Sequence, residues 1–588
     1  MTVRKLTIEH LLFFIALVLA LSLRVINLGA APLSDTEANW ALQALQVGGS
    51  AATALQTAPA IPQTYAWGPQ PGYVLLTGAA FQLFGASNAL ARLWPALVGS
   101  LLILLPLFFR RELGRPASLI LAFGLAIDPG LVAVSRQAGS PMPALVFVLL
   151  ALCLWRARRP ILAGIVAGLA LLSGPSVLMG ALGIGLAWGL TLVFSPKRPT
   201  EPASPQFGPA ERNALLAAGA VVVLAGTLFL FRLQGLAAWA ETLPTFIQGW
   251  FQSSGVPAAS LPAALLFYQP MALIFGLLGA VQGIFLSGRE DEEFSPNPKR
   301  AFFIYLILWA FAALVLGLVY PGRQVSDLIW VLVPLWALAS LQLTRFLPNG
   351  QASLVAASQG VLVFLLLALF WLTLDGVAQP SAGAIELRFG VLVGLVALAA
   401  LTTLLVALGW SWEVGRRGLL WGTTAALTIY LVSALWGATQ LRPGQPQELW
   451  SPTPGTGEIN LFMKTLGDFS EWRTGFRTNL DLTVAVDTPS LRWALRDFPQ
   501  ARFVSQPSAS ELPSVIITRQ GQQAPALTAS YRGEAFSWWV KPGWTGTFPP
   551  DFVRWLTFRE APQTPDQVIL WTRSDLFPGG ALENKTTP

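Results

Sequence analysis

Cysteine, histidine and charged side chains are scarce in this sequence. Its one cysteine, Cys153, lies in an apolar stretch, and its one histidine, His10, lies near the N-terminus. The composition therefore excludes disulfide bonds and metal clusters built on Cys or His, so a bound metal would need carboxylate ligands. Only 11% of the residues are charged and 54% are hydrophobic, whereas soluble proteins have about 25% charged residues. Most of the chain must therefore face lipid instead of water.

The positive charge of the chain is dispersed. The formal net charge is +7 and the pI is near 9.8, but Lys and Arg occur in twos and threes between apolar runs. Nucleic-acid recognition needs a basic patch, so we expect no nucleic-acid partner and read these residues as membrane-topology signals.

Apolar windows of about 20 residues, the length that crosses a bilayer, recur along the first three quarters of the chain. They lie near residues 8–28, 88–109, 116–135, 141–156, 160–174, 175–194, 213–232, 262–286, 301–319, 328–345, 353–374, 388–411 and 418–437. They predict a mainly α, polytopic membrane helical bundle of roughly thirteen spans. The first window follows MTVRK like a signal peptide, but its length and the many later windows favour an uncleaved span.

The distribution of Lys and Arg predicts how the chain is oriented. With thirteen spans, one set of alternate loops collects the Lys/Arg groups at 4–5, 110–115, 156–159, 197–212, 289–300, 345 and 416–417, while the first opposite loop, 29–87, has none. The positive-inside bias then predicts a multi-pass plasma-membrane protein with a cytoplasmic N-terminus. The break Ser173-Gly174-Pro175 leaves one alternative, in which 160–194 is a single broken unit and every later segment is inverted.

The composition changes near residue 441, which predicts a boundary between a membrane domain, 1–440, and an extracytoplasmic soluble domain, 441–588. Short β-like runs occur at 481–487, 501–505, 514–519 and 567–573, and a helical pattern separates the first two. This pattern indicates a small α/β domain. No Gly-rich loop follows the first strand, so a nucleotide site is not supported.

The long loop 29–87 carries two carboxylates, Asp35 and Glu37, about one helical turn beyond the first span. A carboxylate at the membrane surface can act as a general base towards an acceptor, or hold a divalent cation such as Mg²⁺ or Mn²⁺ that bridges a phosphate. The alternative is structural, because Ser34-x-x-Glu37 is a capping box that begins a helix.

Further ionisable residues fall on the same predicted side. Arg92 lies in the second window, Asp128 and Arg136 follow the third, and Arg323 and Asp327 precede the tenth. A guanidinium near the bilayer is unfavourable unless it is paired, so these residues favour a cavity for an anionic lipid phosphate. Snorkelling of Arg92 and local Asp–Arg ion pairs remain the alternatives.

Several short motifs, in a fixed order, resemble the membrane glycosyltransferases with the GT-C fold, which include protein O-mannosyltransferases and bacterial lipid A aminoarabinose transferases. The matching pieces are Asp35-Thr36-Glu37-Ala38, Gly68 to Tyr73, Leu83-Phe84-Gly85, Ala91 to Leu97, Ser135-Arg136 and Arg323. The resemblance implies transfer of a sugar, with inversion, from a polyprenyl-phosphate carrier to a glycan, lipid or protein acceptor at the outer face of the membrane.

The resemblance also implies roles for residues. The catalytic carboxylate belongs to the pair Asp35/Glu37, and the donor phosphate would be bound by Arg92, Arg136 and Arg323. Beyond these, Asp128 and Asp327 from the ionisable clusters, together with Tyr73, are candidate supporting residues.

The soluble domain resembles a narrower, flippase-associated branch through residues 489–498 and 537–544. Its adjacent tryptophans, Trp538 and Trp539, lie in an otherwise polar segment, so they are candidates for a sugar-binding surface.

Two positions depart from the GT-C pattern. If Glu37 aligns with the motif glutamate, Thr36 replaces the catalytic Asp and Asp35 lies one residue early; Pro141 replaces an Asp five residues after Arg136. The alternative function is therefore a degenerate member that binds lipid-linked sugar, or assists a flippase, without transferring the sugar. A secondary transporter is disfavoured, because no inverted repeat is visible.

Overall fold

A computed structural model describes residues 7–47, 67–194, 208–287, 298–346, 354–379, 385–451, 454–507, 512–521 and 529–577. Across this part of the chain, a bundle of mostly apolar helices is followed by a domain with one six-stranded sheet. The predicted fold class, a membrane helical bundle with a C-terminal α/β domain, is confirmed.

The helices of the bundle range from single turns to seven turns. Their bounds are Ile8–Val25, Asp35–Val47, Pro71–Phe84, Asn88–Ser100, Leu105–Phe108, Arg110–Leu113, Arg115–Ile127, Pro129–Ser135, Met142–Arg156, Pro160–Leu171, Ser176–Phe194, Pro209–Gly226, Gln234–Ala240, Thr242–Gln248, Ser260–Tyr268, Pro270–Ser287, Pro298–Val319, Ile329–Thr344, Leu354–Val377, Ile385–Gly409 and Trp412–Trp436. Short 3₁₀ turns occupy Leu101–Leu104 and Val325–Leu328, and a π turn ends the last helix at Leu441.

Eight helices of the described residues are long and apolar enough to cross a membrane, or ten if each of two bent helix pairs is one span. The predicted count of roughly thirteen also includes Met142–Arg156 and Pro160–Leu171, which are shorter apolar helices, and Pro209–Gly226, whose first turns carry Glu211 and Arg212. The chain is a multi-pass membrane protein, and the count of thirteen stays a prediction.

Prolines explain both bent pairs. The pair Arg115–Ile127 and Pro129–Ser135 bends by 53°, and the pair Ser260–Tyr268 and Pro270–Ile284 bends by 98°. In each pair proline occupies the first position of the second helix, where its missing N–H is tolerated. Arg136 directly follows the second helix of the first bent pair.

The helix Ile329–Thr344 forms the centre of the bundle. It is the tenth predicted span, and the span Val325–Thr344 has 78% of its apolar window buried within the protein. Two fully buried tryptophans anchor it: Trp330 donates to Ser176 Oγ at 3.1 Å and Trp336 donates to Asp128 Oδ2 at 2.8 Å.

The C-terminal domain is a mixed sheet with helices packed around it. Its strands are β1 (Gly455–Thr456), β2 (Leu482–Val484), β3 (Ala501–Phe503), β4 (Val515–Arg519), β5 (Tyr531–Pro542) and β6 (Gln563–Arg573), and its helices are Ile459–Thr474, Pro489–Ala494 and Phe552–Phe558. The spatial order is β1-β5-β6-β4-β2-β3, with β2 parallel to β3 and β4 and the other pairs antiparallel.

The four predicted strands all occur, and the predicted helix between the first two occurs as Pro489–Ala494. Four elements were not predicted: the two-residue strand β1, strand β5, and the helices Ile459–Thr474 and Phe552–Phe558. Both β5 and the helix Ile459–Thr474 contain many polar residues. In β5 only one end is buried in the domain, so the strand lacks a regular apolar alternation for sequence reasoning to detect.

The sheet domain docks on the helical bundle through Trp493. This residue is 3% exposed and lies in an apolar cluster built by the helices Asp35–Val47 and Pro71–Phe84. Its ring centroid lies 5.6 Å from that of Phe81, and its Nε1–H donates to Asn88 Oδ1 at 2.8 Å. Buried tryptophans of this kind are the usual anchors of protein interfaces.

A second contact docks the other side of the sheet domain. Trp555 is buried against Phe267 of the bundle, with ring centroids 5.5 Å apart. Nearby, Tyr268 donates to the buried Glu448 at 2.6 Å, and the Arg559 guanidinium donates to Phe267 O at 3.0 Å. The domain is therefore held at two separate places.

Replacement of the first anchor tests this arrangement. We expect Trp493→Ala to loosen the sheet domain, because truncating a buried tryptophan removes about 3–5 kcal/mol of packing. Limited proteolysis of the full chain in lipid nanodiscs should then release a C-terminal fragment faster than from wild type. Trp472→Ala, at a side chain that is 58% exposed, is the control and should leave the cleavage rate unchanged; equal cleavage of both variants would contradict the docking role.

Candidate active site

The candidate site is organised by the helix Asp35–Val47, which we call the surface helix. Its start is a capping box: Glu37 N donates to Ser34 Oγ at 3.4 Å, and Ser34 N donates to Glu37 Oε2 at 3.2 Å. The surface helix lies against Pro71–Phe84, where Gly78 permits close approach, since a Cβ there would lie 2.7 Å from Ala44 O. The helix is therefore fixed at its start and along one face.

Glu37 and Arg92 form a buried ion pair beneath the surface helix. Arg92 Nε donates to Glu37 Oε1 and Arg92 Nη2 donates to Oε2, both at 2.8 Å, and both side chains are more than 90% buried. Ala138 N adds a third donor to Oε1, at 3.1 Å. The bidentate geometry is the strongest form of Arg–carboxylate contact. The anionic partner of Arg92 in this structure is therefore Glu37, and the predicted role of Arg92 in binding a donor phosphate stays a prediction.

The remaining donors of Arg92 are bound to the turn after the first helix. They reach Leu28 O at 3.2 Å, Ala31 O at 2.8 Å and Pro32 O at 2.9 Å. Burial alone would raise the pKa of the Glu37 carboxyl, but Arg92 and the donated backbone hydrogen bonds outweigh it and hold this pKa below its usual range. Glu37 is thus an ionised structural partner of Arg92 and is poorly suited to accept a proton.

Asp35, two residues earlier, points to the sheet domain instead. It is half-buried, its Oδ1 accepts from Ser490 N at 3.0 Å, and its Oδ2 accepts from Trp539 Nε1 at 2.7 Å. No salt bridge to Asp35 occurs among the described residues. The two carboxylates predicted as a catalytic pair therefore have different environments.

A cavity opens beside the Glu37–Arg92 pair and has about 580 Å³ of empty space, including its open mouth. One wall comes from the ends of the first helices and the other from the segment between the last bundle helix and the sheet domain. Its polar lining residues are Asn27, Ser34, Glu37, Arg92, Arg136, Gln137, Thr439, Ser451 and Thr456. The cavity thus combines two guanidinium groups with hydroxyl and amide groups.

Arg136 is the cation of this cavity that lacks an acidic partner among the described residues. Its guanidinium donates to the backbone oxygens of Leu23, Arg24, Ile26 and Asn27 at 2.7–3.3 Å. These bonds satisfy carbonyl groups at the C-terminus of the first helix, where a positive charge is favourable. They also hold the guanidinium at the cavity wall with its charge not neutralised by a carboxylate.

Arg323 and Asp327 lie elsewhere and do not line the cavity. Arg323 Nη1 donates to Val256 O at 3.3 Å, and Asp327 accepts from Gln324 N at 2.8 Å in a capping box. The alternative of a local Arg323–Asp327 ion pair is not observed among the described contacts. Arg323 is thus not brought together with Arg92 and Arg136.

Asp128 and Tyr73 are buried and have structural partners. Asp128 caps the helix Pro129–Ser135 by accepting from Leu131 N at 2.8 Å and also accepts from Trp336, so it does not pair locally with Arg136. The Tyr73 hydroxyl donates to Ala91 O at 2.7 Å. Both residues support the shape of the site from behind it.

The predicted sugar platform of Trp538 and Trp539 needs correction. Trp538 is fully buried in the sheet domain and donates to Ser490 Oγ at 2.9 Å, so it has no ring face available to a sugar. Trp539 is 6% exposed and its N–H is bonded to Asp35. The two tryptophans belong to the domain core and to the interface with the surface helix.

Comparison with known proteins agrees with the motifs. A family model described as dolichyl-phosphate-mannose-protein mannosyltransferase matches residues 59–197, less than half of the chain. The crystal structure of ArnT from Cupriavidus metallidurans bound to undecaprenyl phosphate superposes with a TM-score of 0.52 at 15% identity, covering 96% of this chain and 98% of that chain. The chain has the GT-C fold. The predicted resemblance to GT-C membrane glycosyltransferases is confirmed.

Two further solved structures are similar to this GT-C chain at lower scores. ArnT from the same organism in the apo state gives a TM-score of 0.46 at 16% identity, covering 82% of this chain and 84% of that chain. The Archaeoglobus fulgidus oligosaccharyltransferase in complex with Zn and sulfate gives 0.39 at 15% identity, covering 84% and 62%. A search of curated proteins gave no significant match.

The described part of the chain contains no set of ligands that fits a divalent cation. No three Asp, Glu, His or Cys side chains of these residues lie together as metal ligands. Glu37 is already bound by Arg92, and Asp35 by two donors of the sheet domain. The described residues therefore do not form a site for a divalent cation.

Two residues around the candidate site were not predicted from the sequence. Arg24 is fully buried and donates to Ser135 Oγ at 3.1 Å, which ties the first helix to the segment that carries Arg136. The sequence signal that could have identified Arg24 is a single charged residue inside an apolar span. Trp450 lines the cavity and accepts from Gln137 Nε2 through its backbone oxygen at 2.8 Å; it lies between the domains, where no periodic pattern marks it.

The Glu37–Arg92 pair can be tested by stability. We expect Glu37→Gln to lower the melting temperature at pH 7, because removing one partner of a buried ion pair costs about 3–5 kcal/mol. Folding lowers the pKa of Glu37, so this stabilisation is present above the ordinary carboxyl pKa of about 4.3 and is lost as the pH falls through the lowered value. The difference between wild type and variant should shrink in acid.

Thermal unfolding in nanodiscs at pH 7 and at acidic pH measures both effects. The double variant Glu37→Gln/Arg92→Met leaves no uncompensated charge and should recover part of the lost stability. Identical melting of wild type and Glu37→Gln at pH 7 would show that the pair does not stabilise the protein.

Proposed function

We propose that the protein is a membrane glycosyltransferase that transfers a sugar from a polyprenyl-phosphate donor to an acceptor at the outer membrane face. The observation that carries the proposal is Arg136, a cavity guanidinium with no carboxylate partner among the described residues. Such a group suits the phosphate of a lipid carrier. ArnT, which shares the fold, binds undecaprenyl phosphate, and this supports the same class of donor here.

The proposed orientation places the N-terminus in the cytoplasm and the sheet domain outside the cell. It rests on the loops rich in Lys and Arg, all of which fall on one side when thirteen spans are counted. The surface helix and the cavity then lie at the outer leaflet, where a lipid phosphate and an extracytoplasmic acceptor can meet.

In the proposed reaction an acceptor hydroxyl attacks the anomeric carbon of the donor sugar. The bond between that carbon and the phosphate oxygen breaks with inversion, and the polyprenyl phosphate leaves as an anion bound by Arg136. Asp35 accepts the proton of the acceptor hydroxyl and passes it to water. The assignment to Asp35 is supported by its half-buried position at the first turn of the surface helix, directly after Ser34 of the cavity lining. Asp35 has no bidentate salt bridge like that between Glu37 and Arg92, and the charge of Arg519 acts on it from further away.

The rival function is a protein that binds lipid-linked sugar without transferring it. It is favoured by the two hydrogen bonds that already occupy the Asp35 carboxylate and by Thr36 at the motif position. Both functions predict donor binding, so only turnover distinguishes them.

Turnover is measured as release of free polyprenyl phosphate in nanodiscs that contain Mg²⁺ and Mn²⁺, with a panel of undecaprenyl-phosphate-linked pentoses and hexoses and candidate acceptors. We expect release by wild type and a loss of about 10²–10⁴-fold in Asp35→Asn, the usual range for a general base. Asp468→Asn, an exposed carboxylate of the sheet domain, is the control. Donor binding without release by wild type would favour the rival function.

Phosphate recognition is tested by binding of undecaprenyl phosphate to the same nanodiscs. We expect Arg136→Gln to weaken binding about ten-fold, since a charged hydrogen bond contributes about 1.5–3 kcal/mol. Arg323→Gln, whose side chain lies outside the cavity, should bind like wild type. The reverse result would restore the sequence-based role of Arg323 and remove that of Arg136.

A further inference from the structure

The Asp35 carboxylate receives both of its described hydrogen bonds from the sheet domain. Oδ1 accepts from the backbone N–H of Ser490 and Oδ2 accepts from the indole N–H of Trp539, at 3.0 and 2.7 Å. The two donors belong to different elements, the helix Pro489–Ala494 and β5. The orientation of the carboxylate is therefore fixed by a domain that is distant in sequence.

The strand that carries Trp539 is irregular at this point. The pairing of β5 with β6 shifts register between Ser537 and Trp539, as in a β-bulge. A bulge re-aims a side chain at a local loss of ladder hydrogen bonding. Here Trp538 lies in the domain core and Trp539 reaches the surface helix. The ring centroids of these two tryptophans are 6.3 Å apart.

Neighbouring contacts hold the Trp539 indole in place and connect it to the cavity. In the β1–β5 ladder Trp539 pairs with Thr456, which lines the cavity. On the other side, the Arg519 guanidinium lies 5.3 Å from the Trp539 ring and is itself paired with Asp566. The N–H that faces Asp35 is thus supported by a second layer of contacts, which is typical of preorganised sites.

We infer that Trp539 is a positioning residue of the reaction: through its N–H it orients the Asp35 carboxylate, so that the sheet domain completes the catalytic site of the helical bundle. This inference rests on the proposed function, in which Asp35 receives the proton. Trp539 would therefore be required for turnover and not for donor binding, because it is not among the residues that line the cavity with Arg136.

The test compares Trp539→Phe with Trp571→Phe in the full chain in nanodiscs. Trp571 lies on β6 of the same sheet and donates to Thr518 Oγ1 at 2.9 Å. It is not one of the two described donors to Asp35, so its variant removes an equivalent bond elsewhere. Release of polyprenyl phosphate gives kcat and KM, and binding of undecaprenyl phosphate is measured separately. We expect Trp539→Phe to lower kcat about ten-fold with KM and binding within two-fold of wild type, and Trp571→Phe to match wild type.

A double-mutant cycle shows whether Trp539 acts through Asp35. In the Asp35→Asn background, Trp539→Phe should cause no further loss, since the group that it positions is already absent. Independent, multiplicative losses would overturn the inference, as would equal kcat values of the two Phe variants. A higher kcat in Trp539→Phe would overturn it too, and would show that the sheet domain masks Asp35.

The outcomes also separate this inference from the proposed function. If the wild type releases no polyprenyl phosphate from any donor, both the proposed function and this inference are wrong. If the wild type is active and Asp35→Asn loses activity but Trp539→Phe does not, only this inference is wrong. Melting curves of each variant identify losses that are due to unfolding.

Discussion

The buried ion pair of Glu37 and Arg92 is the constraint on which the site depends. Two opposite charges taken out of water are tolerated only when geometry and additional hydrogen bonds compensate for lost hydration. Here the other N–H groups of Arg92 donate to carbonyl oxygens of the turn Leu28–Pro32, and Glu37 accepts a further hydrogen bond from Ala138 N. One pair therefore joins the first helix, the surface helix, the helix Asn88–Ser100 and the segment after Arg136, and it fixes the floor of the cavity.

This constraint divides the work between the two carboxylates of the motif. Residues two apart on a helix point in different directions, so Glu37 faces inward to Arg92 while Asp35 faces the sheet domain. From the sequence, Asp35 and Glu37 could be assigned to one helical turn, but the different partners of the two carboxylates could not be predicted. That assignment depends on partners 55 and 504 residues away, and no local pattern encodes such distances.

The parts that could be predicted were those with a periodic or compositional signal. Long apolar runs identified the bundle, and short β-like runs identified β2, β3, β4 and β6. The Asp-Glu motif and Arg136 were found because charges are rare near a bilayer. Arg323 was wrongly assigned to the cavity, because the sequence predicts on which side of the membrane a residue lies but not where it lies around the bundle. Trp538 was wrongly assigned to a surface, because its burial depends on the fold of the whole sheet.

The contact between Asp35 and the last strands has a consequence for biogenesis. Asp35 and Trp539 are 504 residues apart, and at about 5–20 residues per second the ribosome needs roughly 25–100 s to pass from one to the other. Throughout the insertion of the bundle, Asp35 and the part of the apolar cluster that later receives Trp493 stay uncovered. A chain that stops between the last bundle helix and β5 therefore contains every helix of the bundle but lacks the Trp539 contact of Asp35.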